Sequence, residues 1–587
     1  MKEAGILNLS RNNDRIQKNT GLIILFINTL VLLFHAQYGF CQTDEPFYAA
    51  LVHRLYLGEA PVVNEWHLTQ LYAPVFLPFY ALFRGLTGSA DYTILYFRVL
   101  RILLAFGASV FLYHNVCRNY GVIPGIIAGL LVQVYSRANI NGCSYYTVFY
   151  IFVSAAGVLT SLCMNEDTHP AKRKIYAFLC GIMYSLSVLC NPYFALPVVI
   201  MWMILVLRGN RSVRESCLYV LAGILASAFV YLVFLLSRAS VAEMLKSLPY
   251  ILMNDDDHMI KVIDIVYLAV LQALEYMDLL SLAAVAGTFV IAFIYRKKEF
   301  PLPARVVYLL LSIAAMIKSL SKIKYGVCFV SLLPVTLIGF PLFLRKLHLH
   351  QFDLGFVFYL IGGFSAVVFM LASVTVIDAM TIGFALCTIS TICMLSEVIQ
   401  GVSTRGIGDQ LLYLCLCILI LVPCYCHRIF GTYRDTTLAK MNTRIEQGPA
   451  RGLYTSPKHA REHDHIYEAV MTQYRKDPDA QVMFSKELPW AYLCTDWGYG
   501  SPSAWGNEVA NPVLKDYYEL FPDKVPDYVY IFETEVAGYD TVTFNSHTAR
   551  HQYEMQDMEG WFYDTYIVPA EILYKDEYVT VYLIDHQ

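Results

Sequence analysis

The sequence predicts an α-helical polytopic membrane protein with about thirteen transmembrane helices and a small C-terminal extracytoplasmic α/β domain. Three observations carry this prediction. Of the 587 residues, 57% are hydrophobic and only 15% are charged, whereas a soluble domain has about 25% charged residues. The mean hydropathy is +0.48, and a single core does not keep growing to absorb such an excess. Apolar stretches near the ~20 residues needed to cross a bilayer recur along the chain.

The spans read as 21–40, 96–116, 121–136, 144–163, 175–190, 191–208, 217–237, 278–295, 304–321, 326–344, 354–376, 379–398 and 409–427. The fifth and sixth abut at Asn191-Pro192 and form a hairpin with a tight turn. Stretches near 45–58 and 70–86 are apolar but broken by Pro, and read as helices lying at the membrane surface. Basic residues ahead of the first apolar run also fit a signal peptide.

Sidedness follows from the flanking cations. Lys2, Arg11, Arg15 and Lys18 precede the first span; Lys172–Lys174, Arg208–Arg214, Arg296–Lys298 and Arg345-Lys346 fill later loops. With an odd number of spans all share the side of the N-terminus, which is therefore cytoplasmic. The loops 41–95 and 238–262 and everything after 427 then face outward. The membrane domain is 1–427 and the polar remainder, 428–587, is a separate extracytoplasmic domain. Its runs at 480–485, 527–533 and 578–584 alternate as strands, and 459–476 reads as a helix. The small net charge of -4 argues against nucleic acid as a partner. The cysteines lie mostly inside apolar segments and form no zinc-type spacing.

Polar residues set against the membrane mark candidate sites. Asp44-Glu45 follows the first span in an aromatic surround, where a desolvated carboxylate serves as a general base or merely opens a helix. Glu65-Trp66-His67 suits a metal, a sugar or an ordinary turn. Asp255, Asp256, Asp257 and His258 together suit a divalent cation or a solvated turn. Lys318, Lys322 and Lys324, followed by Tyr325, breach the positive-inside pattern and point to a bound phosphate or to snorkelling. Arg98 and Arg101, at the outward end of the second span, could join that site. The aromatics Trp490, Tyr492, Trp497, Tyr499 and Trp505 suit packing or sugar binding.

Together these features resemble the GT-C superfamily of membrane glycosyltransferases. The likeness is greatest to the protein O-mannosyltransferase and lipid A aminoarabinose transferase branch. It rests on the acidic pair Asp44-Glu45, the surface helices around 45–86, and Lys324-Tyr325 with Pro334 downstream. TDEPFY, EWHLTQL and NDDDH also look like loops of a bacterial subgroup of that superfamily. The resemblance implies inverting transfer of a hexose or pentose from a polyprenyl-phosphate donor at the outer face. The acceptor would be a glycan, lipid or protein. Asp44 would be the base and Glu45 its support; Glu65, His67, Arg98, Lys318, Lys322, Lys324 and Tyr325 would bind substrate. A divalent cation is possible. The second outward loop, 136–146, lacks the acid that many relatives carry there. That departure keeps open an inactive scaffold; a transporter or flippase of a lipid-linked glycan is the other alternative.

Overall fold

The computed structural model describes residues 2–165, 167–208, 211–253, 262–317, 320, 329–373, 375–400, 402, 407–485, 488–505, 511–532 and 560–586. The chain enters with α1 (Lys2–His35), then α2 (Asp44–Tyr56) and α3 (Ala73–Thr87). A run of apolar helices follows: α4 (Thr93–Tyr120), α5 (Val122–Val134), α6 (Tyr145–Met164), α7 (Pro170–Cys190), α8 (Ala195–Arg208) and α9 (Arg211–Leu236). Next come α10 (Val241–Met253), α11 (Val262–Tyr276), α12 (Leu279–Ile294), α13 (Leu302–Ile317) and α14 (Leu333–His348). α15 (Leu354–Leu371), α16 (Thr381–Ile399) and α17 (Ile407–Phe430) complete the bundle.

Among the described residues nine helices are long and apolar enough to cross a membrane. The bent pair α11–α12 adds a tenth, and three shorter apolar helices lie in the same bundle. Helix α11 is a correction to the sequence reading, which left 263–277 unassigned. Asp264 and Glu275 bracket its apolar stretch and keep it too short to read as a span. The chain turns by 106° between α11 and α12, where Asp278 caps α12 by accepting from the Ser281 amide at 2.7 Å.

The bundle has a dry centre and an uncovered rim. α16 is buried along nearly its whole length, whereas α9 leaves Leu218, Leu225, Phe229 and Val230 uncovered, the surface that lipid tails solvate. Interhelical polar contacts tie the first helices together. Asn28 donates to Gln133 at 2.6 Å, Gln133 to Ser109 at 2.8 Å, and Tyr425 to Asn28 at 2.7 Å. α15 and α16 approach closely at Gly362 and Gly383, where a Cβ on Gly362 would lie 2.8 Å from the Cys387 backbone nitrogen. Gly362→Ala should therefore lower the unfolding temperature, at an overpacking cost of about 1–3 kcal/mol. Gly363→Ala is the matched control, because its Cβ would meet nothing within 4 Å. Equal midpoints for the two variants would contradict this packing.

One end of the bundle carries a cap. Beyond α17, β1 (Thr443–Arg444) and β2 (Tyr454–Thr455) form a small antiparallel ladder. Then come α18 (Pro457–Tyr474), β3 (Gln481–Phe484), β4 (Gly498–Tyr499), α19 (Asn511–Leu520), β5 (Tyr528–Phe532), β6 (Glu571–Lys575) and β7 (Val579–Leu583). The five-stranded sheet runs β4-β3-β5-β7-β6, parallel across β4, β3 and β5 and antiparallel across β5, β7 and β6. Every residue of β5 is buried. β3, β5, β7 and α18 fall close to the runs read from sequence, whereas β4 and β6 were not read there. Trp490, Tyr492, Trp497 and Tyr499 are buried in this domain, and Trp505 alone of the five aromatics keeps a partly open face.

The cap sits directly on the first loop. The Tyr454 amide donates to the Gln37 carbonyl at 2.7 Å, the Gly39 amide to Tyr454 at 2.8 Å, and the Trp66 amide to Pro502 at 2.8 Å. This corrects the expectation for 45–58: α2 is enclosed by bundle and cap rather than lying on lipid. Its His53 and Arg54 reach the Thr495 and Ser501 carbonyls of the cap. α3 keeps the expected exposed apolar side, with Phe79, Leu82 and Leu86 uncovered, and ends at Gly88, whose φ of 64° suits a residue without Cβ.

Candidate active site

Residues 36–43 leave α1 and turn into α2, so the acidic pair stands at the first turn of α2 where the helix dipole favours negative charge. The two acids then face different partners. Glu45 is 2% exposed at its side chain and receives Arg98 in two parallel bonds, Nε to Oε1 at 2.7 Å and Nη2 to Oε2 at 2.6 Å. Arg98 spends its remaining donors on the carbonyls of Ala36, Tyr38 and Gly39. The pair is thereby closed, and the expectation that Arg98 meets substrate is corrected: it holds the loop that leads into α2.

Asp44 is one-fifth exposed. Thr43 Oγ1 donates to its Oδ2 at 2.9 Å, and Arg434 Nη1 stands 3.6 Å from the same oxygen while donating to Thr43 Oγ1 at 2.9 Å. One helical turn on, Tyr48 lies in the electrostatic field of both Asp44 and Arg137. Arg137, in the second loop, stacks its guanidinium 3.8 Å over Tyr146 and reaches Asp378 at 3.2 Å. Burial pushes the Asp378 carboxyl above its ordinary range while Arg137 pulls it back. The loop that lacks an acid thus contributes a cation, and the α15–α16 connection brings an acid to it.

Glu65 and His67 are placed otherwise than expected. Glu65 accepts from Arg54 Nη1 at 2.9 Å and from the His67 amide at 3.0 Å, buried at the joint between α2 and the cap. Arg54 also meets Glu59, donates to the Ser501 carbonyl at 2.8 Å, and touches Tyr517 at 3.2 Å. Lys524 adds a 2.8 Å bond to Glu59. A buried acid near an arginine takes it as its partner, which explains why Glu65 serves this knot and not a ligand. His67 caps the short 3-10 turn Leu68–Tyr72 through Nδ1, and its ring packs edge-on against Phe47. Phe47 in turn packs on Trp505, 5.1 Å between centroids, so a partly open aromatic from the cap stands beside the acidic turn.

Lys318, Lys322, Lys324, Tyr325 and the group Asp255, Asp256, Asp257 and His258 lie outside the described residues. Among the described residues no group of three metal-ligating side chains converges. The donor set around Asp44, one carboxylate with a hydroxyl and a guanidinium, does not fit a divalent cation. Sequence reasoning missed Arg137, Asp378 and Arg434. A lone Asp between two apolar runs was the available signal for Asp378.

The cap joint should also be acid-sensitive. His53 bonds the Thr495 carbonyl at 2.8 Å and Tyr80 at 3.0 Å, and burial pushes it down to about 4. A histidine depressed in the folded state stabilises fully above its unfolded value near 6.5 and loses that contribution as pH falls toward 4. His53 alone should cost about 2 kcal/mol on going from pH 7 to pH 5. Thermal unfolding at the two pH values checks this, and His53→Gln should flatten the slope; an unchanged slope in the variant would refute the assignment.

No family model matches the chain, and no curated protein matches it. Solved structures do. The chain is similar to the Archaeoglobus fulgidus oligosaccharyltransferase crystallised with Zn and sulfate, at 11% identity and a TM-score of 0.48, over 88% of this chain and 68% of that one. The same organism's oligosaccharyltransferase AglB, in complex with an inhibitory peptide and a dolichol-phosphate, aligns at 12% identity and a TM-score of 0.47, over 87% and 69%. ArnT from Cupriavidus metallidurans in the apo state aligns at 12% identity and a TM-score of 0.41, over 96% and 98%. Likenesses of this degree assign the chain no activity.

Proposed function

We propose that the chain is an integral membrane glycosyltransferase that moves a sugar from a polyprenyl-phosphate donor to an acceptor hydroxyl at the outer face of the membrane. The observation that carries the proposal is the split of the acidic pair. Glu45 is sealed by Arg98, while Asp44 stays partly open beside Arg434, Tyr48 and a partly open aromatic. Asp44 accepts the proton of the acceptor hydroxyl. The freed oxygen attacks the anomeric carbon, the bond to the phosphate oxygen breaks, and its electron pair leaves with the lipid phosphate. Cations must meet that charge: Arg137, already at the site, and Lys318, Lys322 and Lys324 with Tyr325, which the resemblance assigns to the donor phosphate. Asp378, held by Arg137, fills the place of the second acid.

The cap and the site lie at the end of the bundle opposite the basic loops near 172–174, 211–214 and 296–298, which the positive-inside rule keeps in the cytoplasm. The N-terminus is then cytoplasmic and the cap extracytoplasmic. The test is transfer of labelled sugar from polyprenyl-phosphate donors in membranes containing the chain, wild type beside Asp44→Asn. Transfer lost in the variant supports the proposal. Binding of donors without transfer in the wild type would make the chain a scaffold.

A further inference from the structure

Beneath the acidic turn the fold buries more positive charge than it neutralises. Arg98, Arg101 and Arg428 are each at most 1% exposed, and Arg428 lies in the electrostatic reach of the other two, with Glu45 as the compensating carboxylate among the described residues. Glu45 is saturated by Arg98 through both oxygens. Among the described residues, two further acids on the adjoining connections are committed elsewhere. Asp378 pairs with Arg137, and Asp435 accepts from the Phe40 amide, Thr455 and His459. Guanidinium groups do not shed their protons in proteins, so burial cannot discharge these two cations by titration.

Their donors are also unspent. Arg101 gives Nη2 to the Tyr135 carbonyl, but its Nε and Nη1 have no partner among the described residues. Arg428 gives Nη1 to Asn139 at 2.8 Å, and its Nε has none among the described residues. The Tyr150 hydroxyl, buried in α6 and within electrostatic reach of Arg101, likewise has no partner among the described residues. A buried unpaired charge costs far more than an ordinary unmade hydrogen bond. Water could satisfy the donors but could not cancel the charge. An anion does both.

We infer that Arg101, Arg428 and Tyr150 form a closed binding site for a small inorganic anion of chloride size. The enclosure sets the size: with the arginines all but fully buried, a lipid-borne phosphate has no path for its tail. The anion lies behind the turn that presents Asp44 and keeps the second loop, which contributes Asn139 and Arg137, fixed against α4 and α17.

The experiment is thermal unfolding of the full chain in nanodiscs at constant ionic strength, with chloride replaced stepwise by gluconate. Chloride should raise the midpoint saturably. The folded-to-unfolded ratio should gain about a hundredfold when chloride stands at about a hundred times its dissociation constant. Arg101→Met should abolish the chloride dependence. If that variant does not fold, bromide anomalous scattering from wild-type crystals decides, with a peak expected between Arg101 and Arg428. Equal midpoints in chloride and gluconate, stabilisation by inorganic phosphate but not by chloride, or an absent bromide peak would each overturn the inference.

Discussion

Transfer by Asp44→Asn should fall about 10²–10⁴-fold below wild type, the contribution of a positioned general base, while the unfolding temperature stays within error. The asparagine keeps the shape of the side chain and can still accept from Thr43, so the turn survives and only the proton acceptor is lost. Asp44 is partly open and its guanidinium neighbour stands at 3.6 Å, a contact whose loss costs little stability. Arg434 has the opposite task. It donates to Thr43, which in turn donates to Asp44, and so holds the carboxylate in one orientation. Arg434→Gln should leave donor binding intact and lower the turnover rate. Survival of full transfer in Asp44→Asn would keep the enzyme and remove Asp44 as its base.

Glu45→Ala should do the reverse, destabilising the protein by about 3–5 kcal/mol, the cost of stranding a buried charge. The true figure should sit at the upper end, because Arg98 would join Arg101 and Arg428 with no carboxylate among them. The measurement is the unfolding midpoint together with the yield of monodisperse protein. Adding Arg98→Met to Glu45→Ala should recover part of the loss, because it removes the orphaned cation, and that non-additivity measures the pair. A single variant as stable as wild type would show that something else compensates Arg98.

Much of the fold was legible because a bilayer permits few solutions. Each long apolar run must satisfy its own backbone, so runs read directly as helices. β3, β5 and β7 of the cap were legible as short apolar runs between turns, and β5 is buried at every residue; β4 and β6 were not read. α11 was not, since Asp264 and Glu275 truncate its apolar pattern. The site was half legible. A carboxylate pair at a helix start announced itself, yet adjacent residues on a helix point about 100° apart, and the sequence does not say which faces the opening. Glu65 and Arg98 looked like ligand residues because unpaired charge in an apolar stretch reads as function. Their partners, Arg54 and Glu45, come from other turns and other helices, and only the tertiary fold brings them within bonding distance. Arg434 lies 390 residues from Asp44 and carried no local signal at all.

That separation has a consequence for biogenesis. The turn bearing Asp44 is held from behind by Asp435 on the Phe40 amide, and by Tyr454 bridging to Gln37 and Gly39. A nascent chain that has inserted every helix but the last therefore possesses the acidic pair without the strap that aims it. On the proposed function, a product truncated before this strap should transfer no sugar, and transfer measured with a chain ended after α17 checks this.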